Sequence, residues 1–289
     1  MDKFGYKIVE IIGTGTFGTV YKCMDDNNNV RCIKKIQLVD ASDVVTNAHF
    51  EMIQQEIYLL QNLAHPRIIG LYEYFCSNTD NKCIYIVMEY ASNGSLSKMI
   101  NDQQTFLDEN KIKQVLIDIV LGVEYLHMKN VVHKDLKPCN ILLCNNGRLK
   151  IADFGVSKIK NIDNCYLDDV FQRNETKEMG GSPIYMAPET LIHKHFSFSS
   201  DIWALGCILY ELCALQPAFG AVQSMDELIR CTLTKEYPPL NPDNVSKQMV
   251  ALCAHMMEAD VKRRATIKDV IRNPVVIVDY YHSYFRFDP

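Results

Sequence analysis

His133-Lys134-Asp135-Leu136-Lys137-Pro138-Cys139-Asn140, followed by Asp153-Phe154-Gly155, is the stretch that decides how this chain is read. It holds one carboxylate, one amide and a second carboxylate close together in a region of short strands and turns. Phosphoryl transfer needs that inventory. Asp153 and Asn140 supply hard oxygen ligands of the kind magnesium takes, with room for water and phosphate oxygens. Asp135 is placed to orient an attacking hydroxyl and accept its proton. Lys137 is placed to steady the γ-phosphate. Each residue alone also reads as a polar turn residue capping a strand. The set in this order does not.

Upstream, Gly13-Thr14-Gly15-Thr16-Phe17-Gly18-Thr19-Val20 has glycines at the spacing of a phosphate cradle. It is not a Walker A loop, because position 19 is Thr rather than Lys. Thr19 to Lys22 reads as a strand, which excludes the helix that a dinucleotide fingerprint requires. Two readings stay open: a plain glycine turn, or a flap whose backbone N–H groups approach phosphates. Cys32-Ile33-Lys34 puts a lysine on the third strand. Glu56 flanks the apolar seam of the helix that follows, so it can pair with Lys34 and hold the ammonium against phosphate oxygens. Lys34 taken alone reads as a solvated surface lysine.

The apolar runs Tyr6 to Ile12, Thr19 to Met24 and Val30 to Ile36 read as strands, with Asp26-Asn27-Asn28-Asn29 as a turn. Phe50, Ile53, Ile57, Leu60 and Ala64 recur at helical steps, and His65-Pro66 ends that helix. Ile68 to Phe75 and Cys83 to Tyr90 read as two further strands. Past Asn93-Gly94 the pattern turns helical. Ile112, Val115, Ile119, Val123 and Leu126 mark one long helix. Asp201 to Leu215 is apolar nearly all round and so reads as a buried central helix. Residues 157–182 are polar and read as a surface loop. The layout is a strand-rich half over residues 1–90 and a larger helical half from 91.

The 289 residues are 48% hydrophobic and 22% charged, an ordinary globular mix that excludes wholesale disorder. Thirty basic against thirty-five acidic residues give a net charge of −5, which argues against nucleic acid as a partner. No apolar run approaches the ~18 residues of a membrane span, and the polar start is no secretory signal. The eleven cysteines are scattered, with no Cys-x-x-Cys pair. That speaks against zinc and for free thiols in a reducing, intracellular compartment.

In the order Gly13-x-Gly15-x-x-Gly18, Lys34, Glu56, His133-Lys134-Asp135, Asn140, Asp153-Phe154-Gly155, Ala187-Pro188-Glu189, Asp201 to Gly206 and Arg264, the chain resembles the eukaryotic protein kinases over residues 6–275. Asp135-Leu136-Lys137-Pro138 and Gly181-Ser182-Pro183 resemble the serine/threonine branch. Ser200 to Cys213 with Ala218-Phe219 and Tyr237-Pro238-Pro239 resemble the NIMA-related (NEK) kinases. The resemblance implies an α+β, bilobal fold. The β-rich N-lobe would span 1–90, the mainly helical C-lobe 91–275, and an aromatic tail 276–289. It implies ATP and Mg2+ as cofactors, protein Ser/Thr hydroxyls as acceptors, and a cytoplasmic or cytoskeleton-associated enzyme. It says nothing of oligomeric state.

By the same resemblance, adenine would lie between Ile12, Val20 and Cys32 above and Leu142 below. Met88 would be the gatekeeper, and the backbone of Glu89 and Ala91 would bond adenine. Gly13, Gly15 and Gly18 would cover the phosphates. Lys34 would hold them, oriented by Glu56, and Asn140 and Asp153 would hold the metal. Leu60, Leu71, His133 and Phe154 would stack as a spine, and Arg264 would pair with Glu189.

Two departures stand out. Lys134 replaces the arginine that normally clamps a phosphorylated loop residue, and lysine cannot form that bidentate fork. Glu178 occupies a position where NEK-like kinases carry a phosphorylatable threonine. A built-in Glu178–Lys134 pair would give activity without loop phosphorylation. The alternative is a solvated Glu178 with Thr176 taking the phosphate. Ser95 and Cys139 stand where basophilic kinases carry acids, so no strong basic requirement is expected. Val156 after Asp153-Phe154-Gly155 implies threonine over serine as acceptor. Tyr280, Tyr281, Tyr284, Phe285 and Phe287 would pack on the helical lobe or on a partner. A nucleotide-binding pseudokinase and a small-molecule kinase are the competing classes.

Overall fold

Strand-forming runs and turn chemistry set the first third of the chain. In the computed structural model, which describes residues 5–15, 18–38, 47–77, 83–159 and 183–285, β1 (Tyr6–Gly15), β2 (Gly18–Asp25) and β3 (Val30–Gln37) form successive antiparallel pairs. The β2–β3 turn is tied by the Asp25 carboxylate, which accepts from the amides of Asn27 and Asn29 at 3.0 and 2.8 Å. Asn28 takes the left-handed conformation that asparagine tolerates. β5 (Cys83–Glu89) joins β3, and β4 (Leu71–Ser77) closes the sheet in the order β1-β2-β3-β5-β4.

Period-two alternation divides this sheet into two faces. Tyr6, Cys23, Ile33, Cys83, Tyr85 and Val87 form one buried cluster. Ile36, Ile84 and Ile86 belong to the other, which continues through α1 (Asn47–Asn62) into the helical half. Lys34 is two residues from Ile36 and opposite Ile86, so it points to the α1 side.

Helix α1 differs from the sequence expectation at both ends. Ile53, Ile57 and Leu60 are buried as expected, but Phe50 and Ala64 are exposed. The helix stops at Asn62, ahead of His65-Pro66, and the Ala64 amide donates to Tyr125 Oη at 2.9 Å. The strand expected from Ile68 begins at Leu71. Ile68 instead bridges Ile151, and the Ile69 amide bonds Ile151 O at 3.0 Å. This turn therefore docks on the helical half.

That half is built on α2 (Leu96–Asn101), α3 (Glu109–Met128) and α5 (Phe198–Ala214), with α4 (Pro188–His193) between the last two. Every residue from Ser200 to Cys213 on α5 is buried, as a helix apolar all round requires. Around it lie α6 (Met225–Thr234), α7 (Lys247–Met256) and α8 (Ile267–Arg272). Short strands carry the loops between α3 and α4: β6 (Val131–Val132) with β9 (Lys158–Ile159), and β7 (Ile141–Leu143) with β8 (Leu149–Ile151). Residues 158–159, expected as loop, thus form a strand. Finally α9 (Ile277–Phe285) packs on α3, and Tyr280 Oη donates to Glu124 Oε2 at 2.6 Å. Among the described residues no helix is long and apolar enough to cross a membrane.

Candidate active site

Lys34 and Glu56 meet because strand parity and the flank of the α1 seam point them at each other. Lys34 Nζ lies 2.7 and 3.0 Å from the two Glu56 oxygens and 3.3 Å from Asp153 Oδ1. Burial of Lys34 works against the ammonium, but Glu56 and Asp153 outweigh it and raise its pKa above the usual lysine value. Burial also pulls on Asp153, yet Lys34 and then His133 hold its carboxyl below the ordinary range. Glu56 is 3% exposed, and burial pushes its pKa up against the pull of Lys34. The Asp153 side chain is 38% accessible, so one carboxylate of the cluster faces open space.

The loops after β6 and after β8 are each held in a strained shape. Lys134 has φ 71° and Asp153 φ 64°, both in the left-handed region that non-glycine residues avoid. Buried Asp201 supports the first by accepting from the amides of His133 and Lys134 at 3.0 and 3.1 Å. Asp201 also contacts His127 Nε2 at 3.0 Å. The Ser157 hydroxyl donates to His133 O at 3.0 Å. His133 Nδ1 accepts from the Asp135 amide at 3.3 Å, which leaves Nε2 to donate to Ala152 O at 3.2 Å. One ring thereby ties the segment of Asp135 to that of Asp153.

Asp135 is aimed by two neighbours. Asn140 Nδ2 donates to Asp135 O at 2.8 Å and to Asp135 Oδ2 at 2.9 Å, while Lys137 Nζ lies 2.7 Å from the same Oδ2. Both partners of the Asn140 amide are acceptors, so its nitrogen must face them. Its oxygen is turned the other way, where the Cys139 thiol makes a weak 3.6 Å contact. The Ala152 amide donates to Asn140 O at 2.9 Å, which places Asn140 beside the residue preceding Asp153. An amide oxygen and an accessible carboxylate fit a hard divalent cation that takes its other oxygens from phosphate and water. Among the described residues no three His, Cys, Asp or Glu gather to hold a metal by themselves.

The residues expected around adenine lie on the five-stranded sheet and on the β7–β8 hairpin. Cys32 pairs with Met88 across β3 and β5, Val20 pairs with Gly13 and Lys34, and Leu142 lies on β7. Burial drives the Cys32 thiol up to about 12, so it stays protonated. The Glu89 amide donates to Gly70 O at 2.9 Å. Ile12, Gly13 and Gly15 lie on β1, and Gly18 opens β2. At Gly18, φ is 129° and a Cβ would fall 2.1 Å from Lys35 O, so only glycine fits there. Phe154 is buried against His133, with ring centroids 5.3 Å apart, and Leu60 and Leu71 belong to the same core. Arg264 grips Glu189 with both ends of its fork, at 2.7 and 2.9 Å.

Lys134 Nζ lies over the Phe196 ring, 4.9 Å from its centroid. Glu178, Thr176, Gly181 and Ser182 lie outside the described residues. Sequence reasoning quoted Asp201 in a motif but gave it no task, and it missed Ser157 entirely. The signal for Asp201 was an acid in the first turn of a largely apolar helix, which asks for buried donors.

A two-lobed α+β fold with a lysine–glutamate pair, a base-like aspartate and an oxygen-rich pair at its cleft defines a protein kinase. The protein kinase domain matches residues 6–276, and the chain belongs to that family. It is similar to mitogen-activated protein kinase kinase kinase 2 of Arabidopsis thaliana, 31% identical over 271 residues, covering 92% of this chain and 40% of the relative. It is similar to the serine/threonine-protein kinase nekl-2 of Caenorhabditis elegans, 30% identical over 281 residues, covering 94% of this chain and 74% of the relative. The serine/threonine-protein kinase Nek2 of Homo sapiens is 31% identical over 279 residues, covering 94% of this chain and 59% of the relative. The chain thus spans 40% of the length of the plant relative, 74% of nekl-2 and 59% of Nek2.

Proposed function

We propose that the chain is an active serine/threonine protein kinase that moves the γ-phosphoryl group of ATP to a protein hydroxyl. The observation that carries this reading is the cluster of Lys34, Glu56 and Asp153, with Lys34 Nζ within 3.3 Å of both carboxylates. The Glu89 carbonyl and the Ala91 amide bond adenine, and Ile12, Val20, Cys32 and Leu142 enclose it. Gly13, Gly15 and Gly18 let the backbone approach the phosphates, and Lys34 holds the α- and β-phosphates. Asn140 and Asp153 hold Mg2+, which when bound neutralises phosphate charge. Asp135 orients the acceptor hydroxyl and takes its proton as the new O–P bond forms and the bond from Pγ to the β-bridging oxygen breaks. Lys137, at 2.7 Å from Asp135, shares its charge between that carboxylate and the transferring group.

Several finer readings belong here. The Nek relatives and the α5 sequence support a NEK-like reading, Ser95 and Cys139 in place of acids support no strong basic requirement upstream, and Val156 supports threonine over serine as acceptor. Lys134 in place of the clamping arginine, with Glu178 in place of the phosphorylatable threonine, supports activity without loop phosphorylation. Ten described cysteines are free, which supports a reducing compartment such as the cytoplasm or a site on the cytoskeleton.

Transfer of label from γ-labelled ATP to a generic protein, beside Asp153→Ala, tests the activity. The variant should lose transfer. Equal signal from both proteins sinks the enzyme reading and leaves a nucleotide-binding scaffold. Phosphatase treatment tests loop independence, and loss of activity after it would end that part. A positional-scanning peptide array dominated by upstream arginine would end the specificity part.

A further inference from the structure

The chain between the two halves is clamped at both ends onto one hairpin. At its far end the Asn93 amide donates to Leu143 O at 3.0 Å, and the Leu143 amide donates to Gly94 O at 2.8 Å. At its near end Lys150 Nζ lies 2.6 Å from Glu89 Oε2. Leu143 belongs to β7 and Lys150 to β8, so both clamps seat on the same hairpin.

Glu89 is more than a surface partner. Its carboxylate also takes the Gly70 amide at 3.4 Å and the Cys144 thiol at 3.8 Å. Its own amide donates to Gly70 O at 2.9 Å. Burial first, and the Glu89 charge second, push the Cys144 thiol up to about 11, so it remains a donor. The two charged side chains are 15% and 26% accessible, which screens the pair in part without dissolving it.

Register gives the clamp its meaning. Lys150 pairs directly with Leu142 across β7 and β8, so the two side chains share one face of the hairpin. Leu142 is the floor expected under adenine, and Glu89, in the hinge segment between the two halves, carries the proposed carbonyl acceptor above it. A bond from Lys150 to Glu89 therefore fixes the spacing between floor and hinge.

We propose that Lys150 is a positioning residue for the nucleotide: by gripping Glu89 it sets the width of the adenine slot and the aim of the hinge carbonyl. This rests on the ATP-binding reading above, and it adds a specificity device at a distance from the phosphates. It predicts a change in nucleotide affinity with little change in the chemical step, because Lys150 touches none of the groups around Asp135.

Calorimetric titration of ATP, together with KM for ATP and kcat, tests it on Lys150→Met, Lys150→Arg and Glu89→Gln. Lys150→Met and Glu89→Gln should each weaken ATP by about 3- to 10-fold in both Kd and KM. In Lys150→Met the value of kcat should stay within about twofold. Lys150→Arg keeps the charge and should restore affinity. Unchanged Kd in Lys150→Met, or a change confined to kcat, overturns the proposal. If the unaltered protein binds ATP and transfers nothing, the kinase reading falls, and the clamp is still decided by Kd.

Discussion

At the residue scale, function turns on Asp135. Asn140 and Lys137 both reach its Oδ2, so the carboxylate has little freedom to turn away from an incoming hydroxyl. Asp135→Asn keeps the shape and removes the base. It should lower kcat by about 10²- to 10⁴-fold, while calorimetry finds ATP affinity nearly unchanged. A variant that keeps full kcat would remove Asp135 from the chemistry. His65 carries a separate, pH-dependent prediction. Burial first, then the charges of Arg67 and Lys150, lower its pKa to about 4. Its ring stacks on Tyr125 at 4.7 Å, and Nδ1 accepts from the Arg67 amide at 3.2 Å. The unfolded chain, with a histidine pKa near 6.5, binds this proton first as pH falls. Stability conferred by neutral His65 is thus present above about 6.5 and is lost toward 4. Melting temperature should fall across that window, and His65→Asn should flatten the part due to this ring. Identical slopes in the two proteins would refute the assignment.

At the element scale, close packing of helices decides what α5 can carry. Gly206 sits where a Cβ would fall 2.7 Å from Met257 Cγ and 2.9 Å from Met256 Cβ. Gly206→Ala must push α7 away and should cost about 1–3 kcal/mol, read as a lower urea midpoint with ATP affinity retained. An unshifted midpoint would mean that the two helices part freely. The same scale shows what the sequence could convey. Strand alternation located β1, β2, β3 and β5, and the apolar seam located Glu56, because each rests on a local period. The end of α1 falls short of His65-Pro66 because the Leu63 amide makes the last helical bond, to Leu59 O at 2.9 Å, and the Ala64 amide turns to Tyr125 Oη instead. Interactions such as Arg67–Asp118, Glu89–Lys150 and His133–Asp201 were illegible. They join ordinary residue types 51, 61 and 68 positions apart, and no local pattern announces them. The tail was half legible: its aromatic density forecast packing, and Tyr280 lies buried on α3, while Tyr281 stays exposed.

At the scale of the whole molecule, the turn after α1 joins the two halves. Arg67 Nε reaches Asp118 Oδ1 at 2.6 Å, with both side chains nearly buried. The Leu149 amide donates to Asp118 Oδ2 at 3.0 Å, and the Ile151 amide donates to Arg67 O at 2.9 Å. The turn is thus anchored to both α3 and β8. A buried ion pair adds little net stability against an apolar replacement, but a lone buried charge is costly. Asp118→Leu should therefore destabilise the protein by about 3–5 kcal/mol, since Arg67 is left without its partner. Arg67→Met combined with Asp118→Leu should recover most of that loss. The remainder is mainly the acceptor lost by the Leu149 amide, about 1–3 kcal/mol, with the longer Arg148–Asp118 contact at 3.6 Å lost beside it. Chemical unfolding of the single and double variants reads both numbers. A single variant as stable as the unaltered protein would show that Arg67 finds water, and that the turn is held by its backbone bonds alone.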